Sequence, residues 1–146
     1  MSSSRNGGPK RPRKRRVARS ILDASALLAL IKGEPGQEVV REALRAHTCF
    51  INTANLSEAA AKLLQVRPDP VEVRSILAVP GLEVLTLGLE EALKAGELAI
   101  PGKALGLSLG DRLCLASALV HQAEALTTDR VWTRLQVPGL RIRLIR

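Results

Sequence analysis

RSILDASALLALIKGEPG, residues 19–36, carries the change of rhythm on which the fold turns. Arg19–Leu22 reads as a short strand that ends at Asp23, and Ala24–Ile31 is an apolar run stopped by Gly33 and Pro35 as a helix is stopped. The same alternation continues downstream. A helix from about Gly36 to Ala46 leads into a strand at Thr48–Ile51, and Leu56, Ala59, Ala60, Leu63 and Leu64 then recur at helical spacing. Pro70–Leu77 reads as another helix, and Gly81 opens a strand through Glu83, Val84 and Leu85. Leu89–Ala99 is helical, the segment around Pro101 and Gly102 is expected as a loop, and Asp111–His121 is apolar almost all round, which predicts a central, buried helix. Ala125–Thr127 is a fourth strand, Arg130–Leu135 a short helix and Leu140–Ile145 a last strand. Short apolar strands alternating with helices predict an α/β fold with a mainly parallel sheet. In such sheets functional groups collect beyond the carboxyl ends of the strands.

The length of 146 residues gives room for one ordinary domain. Of the 22 bases, eight (Arg5, Lys10, Arg11, Arg13, Lys14, Arg15, Arg16 and Arg19) lie in the first nineteen residues, where there is no acid. Beyond them 14 bases face 14 acids, so the formal charge of +8 belongs to a tail and the rest is neutral. Residues 1–16 have no periodicity and are expected to be disordered, with 1–18 as a basic tail and 19–146 as the domain. One Phe, one Trp and no Tyr exclude recognition of bases by rows of stacking aromatics. Cys49 and Cys114 have no CxxC or CxxH partner and read as small buried hydrophobes in a reducing cytoplasm, without zinc or disulfide. Lys14-Arg15-Arg16 ahead of an apolar stretch imitates a secretion signal, but Arg19 and Asp23 interrupt that stretch and no small-residue cleavage site follows. No apolar run reaches the ~18–20 residues of a membrane span.

Four carboxylates stand where the α/β rule directs attention. Asp23 follows the first strand, Asp129 follows Leu126-Thr127-Thr128, Glu58 lies early in the helix after the second strand, and Asp111 opens the buried helix. Each also fits a capping role: Asn55-Leu56-Ser57-Glu58 and Ser108-Leu109-Gly110-Asp111 have the capping-box pattern, and Asp at a strand end caps the helix that follows. Capping does not require the four to sit together. If they do, their repulsion calls for a positive charge between them, and oxygen donors without His or Cys nearby in sequence favour Mg²⁺ or Mn²⁺ over zinc. Carboxylate-held Mg²⁺ suits phosphodiester hydrolysis, because it polarises a phosphoryl oxygen and acidifies water.

From about Ser20 to its end the chain resembles the PIN-domain family, and within it the VapC-type ribonuclease toxins of type II toxin–antitoxin pairs. The resemblance rests on Ile21-Leu22-Asp23-Ala24-Ser25-Ala26-Leu27-Leu28-Ala29-Leu30 with Gly33-Glu34-Pro35-Gly36, and on Asn55-Leu56-Ser57-Glu58 leading into Ala61-Lys62-Leu63. It rests further on Gly106-Leu107-Ser108-Leu109-Gly110-Asp111-Arg112 with Leu115-Ala116, and on Leu126-Thr127-Thr128-Asp129-Arg130-Val131-Trp132. It implies a three-layer fold with a sheet of four or five strands between helices, and Asp23, Glu58, Asp111 and Asp129 as catalytic acids around Mg²⁺ or Mn²⁺. Carried over residue by residue, Asp23 and Asp111 are the principal metal ligands, Asp129 acts directly or through a water, and Glu58 binds metal or orients the nucleophilic water. Ser25, Thr127 and Thr128 match hydroxyl positions that hold carboxylates or waters. Partners implied are an RNA substrate, an antitoxin protein laid over the groove, and a second copy of the chain. No membrane is implied.

Asn55, Glu58 and Lys62 share a helix face, so Lys62 either contacts substrate phosphate or neutralises Glu58. Arg112 and Arg130 each follow an acid of the quartet and suit phosphate, a partner's carboxylates or plain packing. Trp132 reads as core rather than as a stacking platform; His47 and His121 match no motif. The departure from the family is the basic front. It is either a tail that adds salt-sensitive RNA contacts, or the result of a translation start placed too far upstream, with Val17 as the true start. Two other functions compete with the nuclease: a non-catalytic RNA-binding or regulatory module of the same fold, and a haloacid-dehalogenase-type phosphatase. The phosphatase needs a second Asp where this chain has Ser25.

Overall fold

A computed structural model describes residues 7–9 and 17–146. Most of the expected tail, residues 1–6 and 10–16, lies outside the described residues, and so does the expectation of disorder there. Strand β1 (Arg19–Leu22) is exposed only at its first residue and buried at the other three. The Asp23 carboxylate accepts from Ala26 N and starts α1 (Ala24–Lys32), which Gly33 ends in the left-handed conformation. Helix α2 (Gln37–Ala46) buries Val40 and Ala43 and leads to β2 (Thr48–Asn52). Helices α3 (Thr53–Val66) and α4 (Pro70–Leu77) precede β3 (Leu82–Leu85). Then come α5 (Leu89–Glu97), α6 (Ala99–Gly102), a 3₁₀ turn at Lys103–Leu105, and α7 (Leu109–Val120). Strand β4 (Glu124–Thr127), a 3₁₀ turn at Arg130–Arg134 and β5 (Arg141–Leu144) complete the chain.

The five strands form one sheet in the order β3-β2-β1-β4-β5, and every pairing is parallel. The alternating strand pattern sends neighbouring residues to opposite faces. Leu22 and Leu126 join Leu27, Val40, Ile51 and Ala59 in one apolar cluster under α1 to α4. Ile21 and Ala125 join Ala95, Cys114, Leu115, Ala118 and Trp132 in a second cluster under α5 and α7. Helices on both faces give the three-layer α/β architecture expected from the sequence. β1 lies at the centre with β2 on one side and β4 on the other, the point from which the chain winds in both directions. That is where a doubly wound sheet opens a crevice at its carboxyl edge.

Two local expectations change. The segment at Pro101 is helical, because a proline within the first turn of α6 lacks only an N–H that has no intrahelical partner there. Helix α3 starts at Thr53 with Asn52 as its cap: Asn52 is extended (φ −80°, ψ 162°) and its side chain accepts from Asn55 N. Asn55 therefore lies inside the first turn and is not the capping residue that its spacing to Glu58 suggests. The expected mainly parallel sheet is present, and among the described residues every strand pairing is parallel.

Glu91 on α5 is buried, with Oε1 2.9 Å from His121 Nε2 at the end of α7 and Oε2 accepting from Gly88 N at 3.2 Å. The His121 hydrogen bond, helped by backbone N–H groups, holds its carboxyl below the ordinary glutamate value. A carboxyl depressed in the folded state adds stability above its unfolded pKa and loses it as pH falls through the folded value. Glu91→Gln is therefore expected to lower the melting temperature at neutral pH and to flatten its fall on acidification, read from thermal denaturation at a series of pH values.

Candidate active site

The ends of β1 and β4 are tied together by the side chains that follow them. Asp23 N donates to Leu126 O at 3.1 Å, so the first acid is fixed against the neighbouring strand. Its Oδ1 accepts from Ser25 Oγ (2.6 Å) and Ala26 N (2.8 Å), and its Oδ2 accepts from Thr127 Oγ1 (2.6 Å). Each hydroxyl also reaches onward. Ser25 Oγ accepts from Thr128 N at 3.1 Å, and Thr127 Oγ1 accepts from Asp129 N at 3.0 Å. Ser25 and Thr127 thus couple the carboxylate after β1 to the backbone that presents the carboxylate after β4.

The other two acids come from α3 and α7. Ser108 and Asp111 form the expected capping box: Asp111 N donates to Ser108 Oγ (3.1 Å) and Ser108 N to Asp111 Oδ2 (2.9 Å). Asp129 Oδ1 accepts from Val131 N at 3.0 Å. Both residues cap and still keep a second oxygen outside the cap, so the capping and site readings hold together. Glu58 is exposed and reaches across to α7. Asp23, Glu58, Asp111 and Asp129 line one cleft of about 320 Å³ with Ala24, Ser25, Asn55, Lys62 and Thr128. Among the described residues Lys62 is the sole cation in that lining. Arg112 and Arg130 are not part of it. Arg112 Nη1 donates to Ala95 O at 2.9 Å and pins α7 to α5, while Arg130 is exposed. Trp132 is fully buried, so it packs in the core and offers no stacking surface.

The charge balance of the cleft is unfavourable without an added cation. Burial raises the Asp23 carboxyl above its ordinary value, against the lowering by Ser25, Thr127 and Ala26, and the Asp111 charge raises it further. Burial also raises Glu58, opposed by the Asn55 amide and Lys62 and reinforced by Asp111 and Asp23. The Cys114 thiol is pushed well up by burial and then by Asp23, Asp111 and Glu58, and Cys114 does not line the cleft. Among the described residues no three His, Cys, Asp or Glu side chains are already drawn together as a coordination group. The donor set still fits a hard divalent ion. The acids supply oxygens alone, and Asn55 in the same lining, only 1 % exposed, has a buried Oδ1 with no hydrogen-bond partner among the described residues. A polar atom left so costs about 1–3 kcal/mol unless water or an ion meets it.

Asn55 is the residue that the sequence pattern misassigned. Its Nδ2 donates to Gly110 O at 3.1 Å and joins α3 to α7 at the cleft, while Asn52 Nδ2 donates to Ser117 Oγ at 3.1 Å, about two turns further along α7. The apolar surroundings of a polar pair, Asn52 and Asn55, were the available signal. Gly110 is needed at this junction, because a Cβ there would overlap the Glu58 carboxylate. That carboxylate ends a flexible side chain and can move away. Gly110→Ala is thus expected to fold with little loss of melting temperature and to displace the Glu58 carboxylate, read from thermal denaturation and the structure of the variant.

The PIN domain family model matches residues 20–138. Comparison with curated proteins gives no match. Among solved structures the chain is similar to the DNA-bound VapBC of Salmonella typhimurium, with 21% identity and a TM-score of 0.72 over 88% of this chain and 99% of that one. It is similar to a toxin–antitoxin complex from Klebsiella pneumoniae, with 19% identity and a TM-score of 0.63 over 87% and 98%. A third likeness is to Mycobacterium tuberculosis VapC20, a toxin that cleaves the sarcin–ricin loop, with 15% identity and a TM-score of 0.65 over 84% and 98%. Among the described residues no helix is long and apolar enough to cross a membrane.

Proposed function

Because this chain belongs to the PIN-domain family, we propose that it is a divalent-cation-dependent endoribonuclease, the toxin of a VapBC-type pair, with residues 19–146 as the working domain. The observation that carries the reading is the cleft at the carboxyl edge, which four carboxylates from four separate segments line together with one lysine. Asp23, Asp111 and Asp129 would hold Mg²⁺ or Mn²⁺, and Glu58 would bind it or orient the attacking water. The bound ion would polarise a phosphoryl oxygen and lower the pKa of water. Ser25 and Thr127 keep Asp23 aimed by occupying one lone pair on each of its oxygens. Thr127 also fixes the backbone of Asp129, so one hydroxyl sets two acids. Lys62 offers its ammonium to a substrate phosphate at the cleft mouth.

The partner assignment is supported by the fold neighbours that occur as VapBC or toxin–antitoxin complexes, and cleavage of RNA by the action of VapC20 on the sarcin–ricin loop. A cognate antitoxin would cover the cleft and set a basic side chain against the acids, and a second copy of the chain completes the assembly. The test is induced expression in a bacterial host. The wild-type chain is expected to arrest growth and Asp23→Asn to leave it unaffected; arrest by both proteins would contradict the nuclease mechanism.

A further inference from the structure

Glu58 is seated by two neighbours outside the acidic group, Asn55 and Gly110. Asn55 stands three residues before it on α3, on the same face, and also lines the cleft. The Asn55 side chain is buried and crosses to the first turn of α7, where Nδ2 donates to Gly110 O at 3.1 Å. Gly110 directly precedes Asp111, and the Glu58 carboxylate occupies the space that a Cβ at position 110 would fill. Gly110 therefore meets α3 twice, through the Asn55 amide and through Glu58, and the next residue is an acid of the cleft. The Asn55 amide also favours the ionised form of Glu58 against the burial that disfavours it.

A second amide joins α3 to α7 and provides the contrast. Asn52, the cap of α3, is fully buried and donates from Nδ2 to Ser117 Oγ at 3.1 Å, and Ser117 Oγ donates in turn to Leu113 O at 2.8 Å. That contact lies about two turns beyond Gly110 along α7, and neither Asn52 nor Ser117 lines the cleft. Both polar atoms of the Asn52 amide are engaged, since Oδ1 accepts from Asn55 N at 2.8 Å. Asn55 differs on this point. Its Oδ1 is buried without a hydrogen-bond partner among the described residues, which makes it a costlier side chain than a tie between two helices requires. An apolar residue of the same shape fills that space without the cost. What the amide adds is a donor at the residue against which Glu58 sits.

We propose that Asn55 is a positioning residue for the acidic cleft, whose amide fixes the Gly110 turn of α7 against α3 and so sets Glu58 and Asp111 on one frame around the cation. The proposal rests on the metal-dependent nuclease reading of the cleft. Asn55 acts through the two acids and not on the RNA.

The experiment compares the wild type with Asn55→Leu, Asn55→Ala, Asn52→Leu, Glu58→Gln, and Asn55→Leu combined with Glu58→Gln. Melting is followed in EDTA, Mn²⁺ binding by electron paramagnetic resonance without RNA, and cleavage of a labelled single-stranded RNA at saturating Mn²⁺. Asn55→Leu loses the hydrogen bond to Gly110 O and with it the unpartnered oxygen, so its melting temperature in EDTA should stay close to that of the wild type. Its Mn²⁺ affinity is expected to fall about tenfold, the scale on which loss of a supporting group acts. Its kcat should fall on the same scale with KM unchanged, because no group offered to the RNA is altered. Asn55→Ala lacks the same donor without the bulk of leucine; it should lose Mn²⁺ affinity equally, and it decides the matter if the leucine variant does not fold. Asn52→Leu should melt several degrees lower through loss of the α3 cap, yet bind Mn²⁺ and cleave as the wild type does. Beside Glu58→Gln, Asn55→Leu should cost less than it does alone, since the carboxylate it helps to hold is gone.

Wild-type Mn²⁺ affinity in a folded Asn55 variant would overturn the proposal. Equal losses in the Asn52 and Asn55 variants would overturn it too, making both amides ties of the fold alone, and so would a fully additive loss beside Glu58→Gln. Intact RNA with a wild-type chain that binds Mn²⁺ would be a failure of the nuclease reading instead, and the comparison of Mn²⁺ affinities would still judge Asn55.

Discussion

Asp23→Asn is expected to lower RNA hydrolysis by at least about a hundredfold while leaving the metal-free protein as stable as the wild type or more so. The loss follows from removing a charged oxygen at the centre of the acidic group. The stability follows from burial. Asp23 is 7 % exposed and its ionised form is disfavoured by desolvation and by Asp111, so a neutral amide of the same shape relieves both costs. Its oxygen can still accept from Ala26 N and Ser25 Oγ, and its amide then faces Thr127, whose hydroxyl rotates to accept. Sites that store electrostatic strain for function characteristically trade stability for activity. The check is a rate on labelled RNA with Mn²⁺ alongside melting curves in EDTA. A variant equally inactive but strongly destabilised would place Asp23 in the structural frame instead.

The second large effect concerns Trp132. It has no solvent exposure and sits in the 3₁₀ turn that Asp129 caps, packed with Ile21, Leu115 and Ala125 in the cluster under α7. Trp132→Ala removes the bulkiest fully buried side chain and is expected to cost about 3–5 kcal/mol. For a chain of this size that lowers the melting temperature on the order of 10 °C. The turn it anchors also presents Asp129, so activity should fall even well below the new melting temperature. Trp132→Phe, which keeps most of the packing, should recover most of both. Thermal denaturation and the RNA rate measured on the same preparations separate the two effects.

How far the sequence reveals this depends on the distance over which each signal acts. The strand–Asp–helix rhythm at Arg19–Ile31 and the run Leu126-Thr127-Thr128-Asp129 are local, and they fixed both the parallel architecture and the position of two acids at its carboxyl edge. The capping box at Ser108 and Asp111 is equally local and is present as expected. Asn55 could not be placed this way. Its partner, Gly110 O, is 55 residues away, and its spacing to Glu58 imitates a cap that Asn52 supplies instead. Arg112 follows an acid of the quartet in sequence, yet its helix turns it away toward Ala95 O. Neighbouring positions on α7 face different partners, a fact that spacing along one helix does not contain. Pro101 was misleading in the same manner, since a proline reads as a break unless the start of the next helix is known.

The cleft also changes how the charge of the chain is understood. A formal +8 first suggests a uniformly basic nucleic-acid binder. Eight of the 22 bases lie in the first nineteen residues, whereas the four acids of the cleft stand at the carboxyl edge of the sheet.

The most direct test is hydrolysis of single-stranded RNA by metal-stripped protein to which Mn²⁺ or Mg²⁺ is returned. Cleavage that is absent in EDTA, appears with the added ion and is lost in Asp23→Asn is the predicted result. RNA that is bound yet remains intact at saturating Mn²⁺ would contradict it, and would make the chain a non-catalytic RNA-binding module of the same fold.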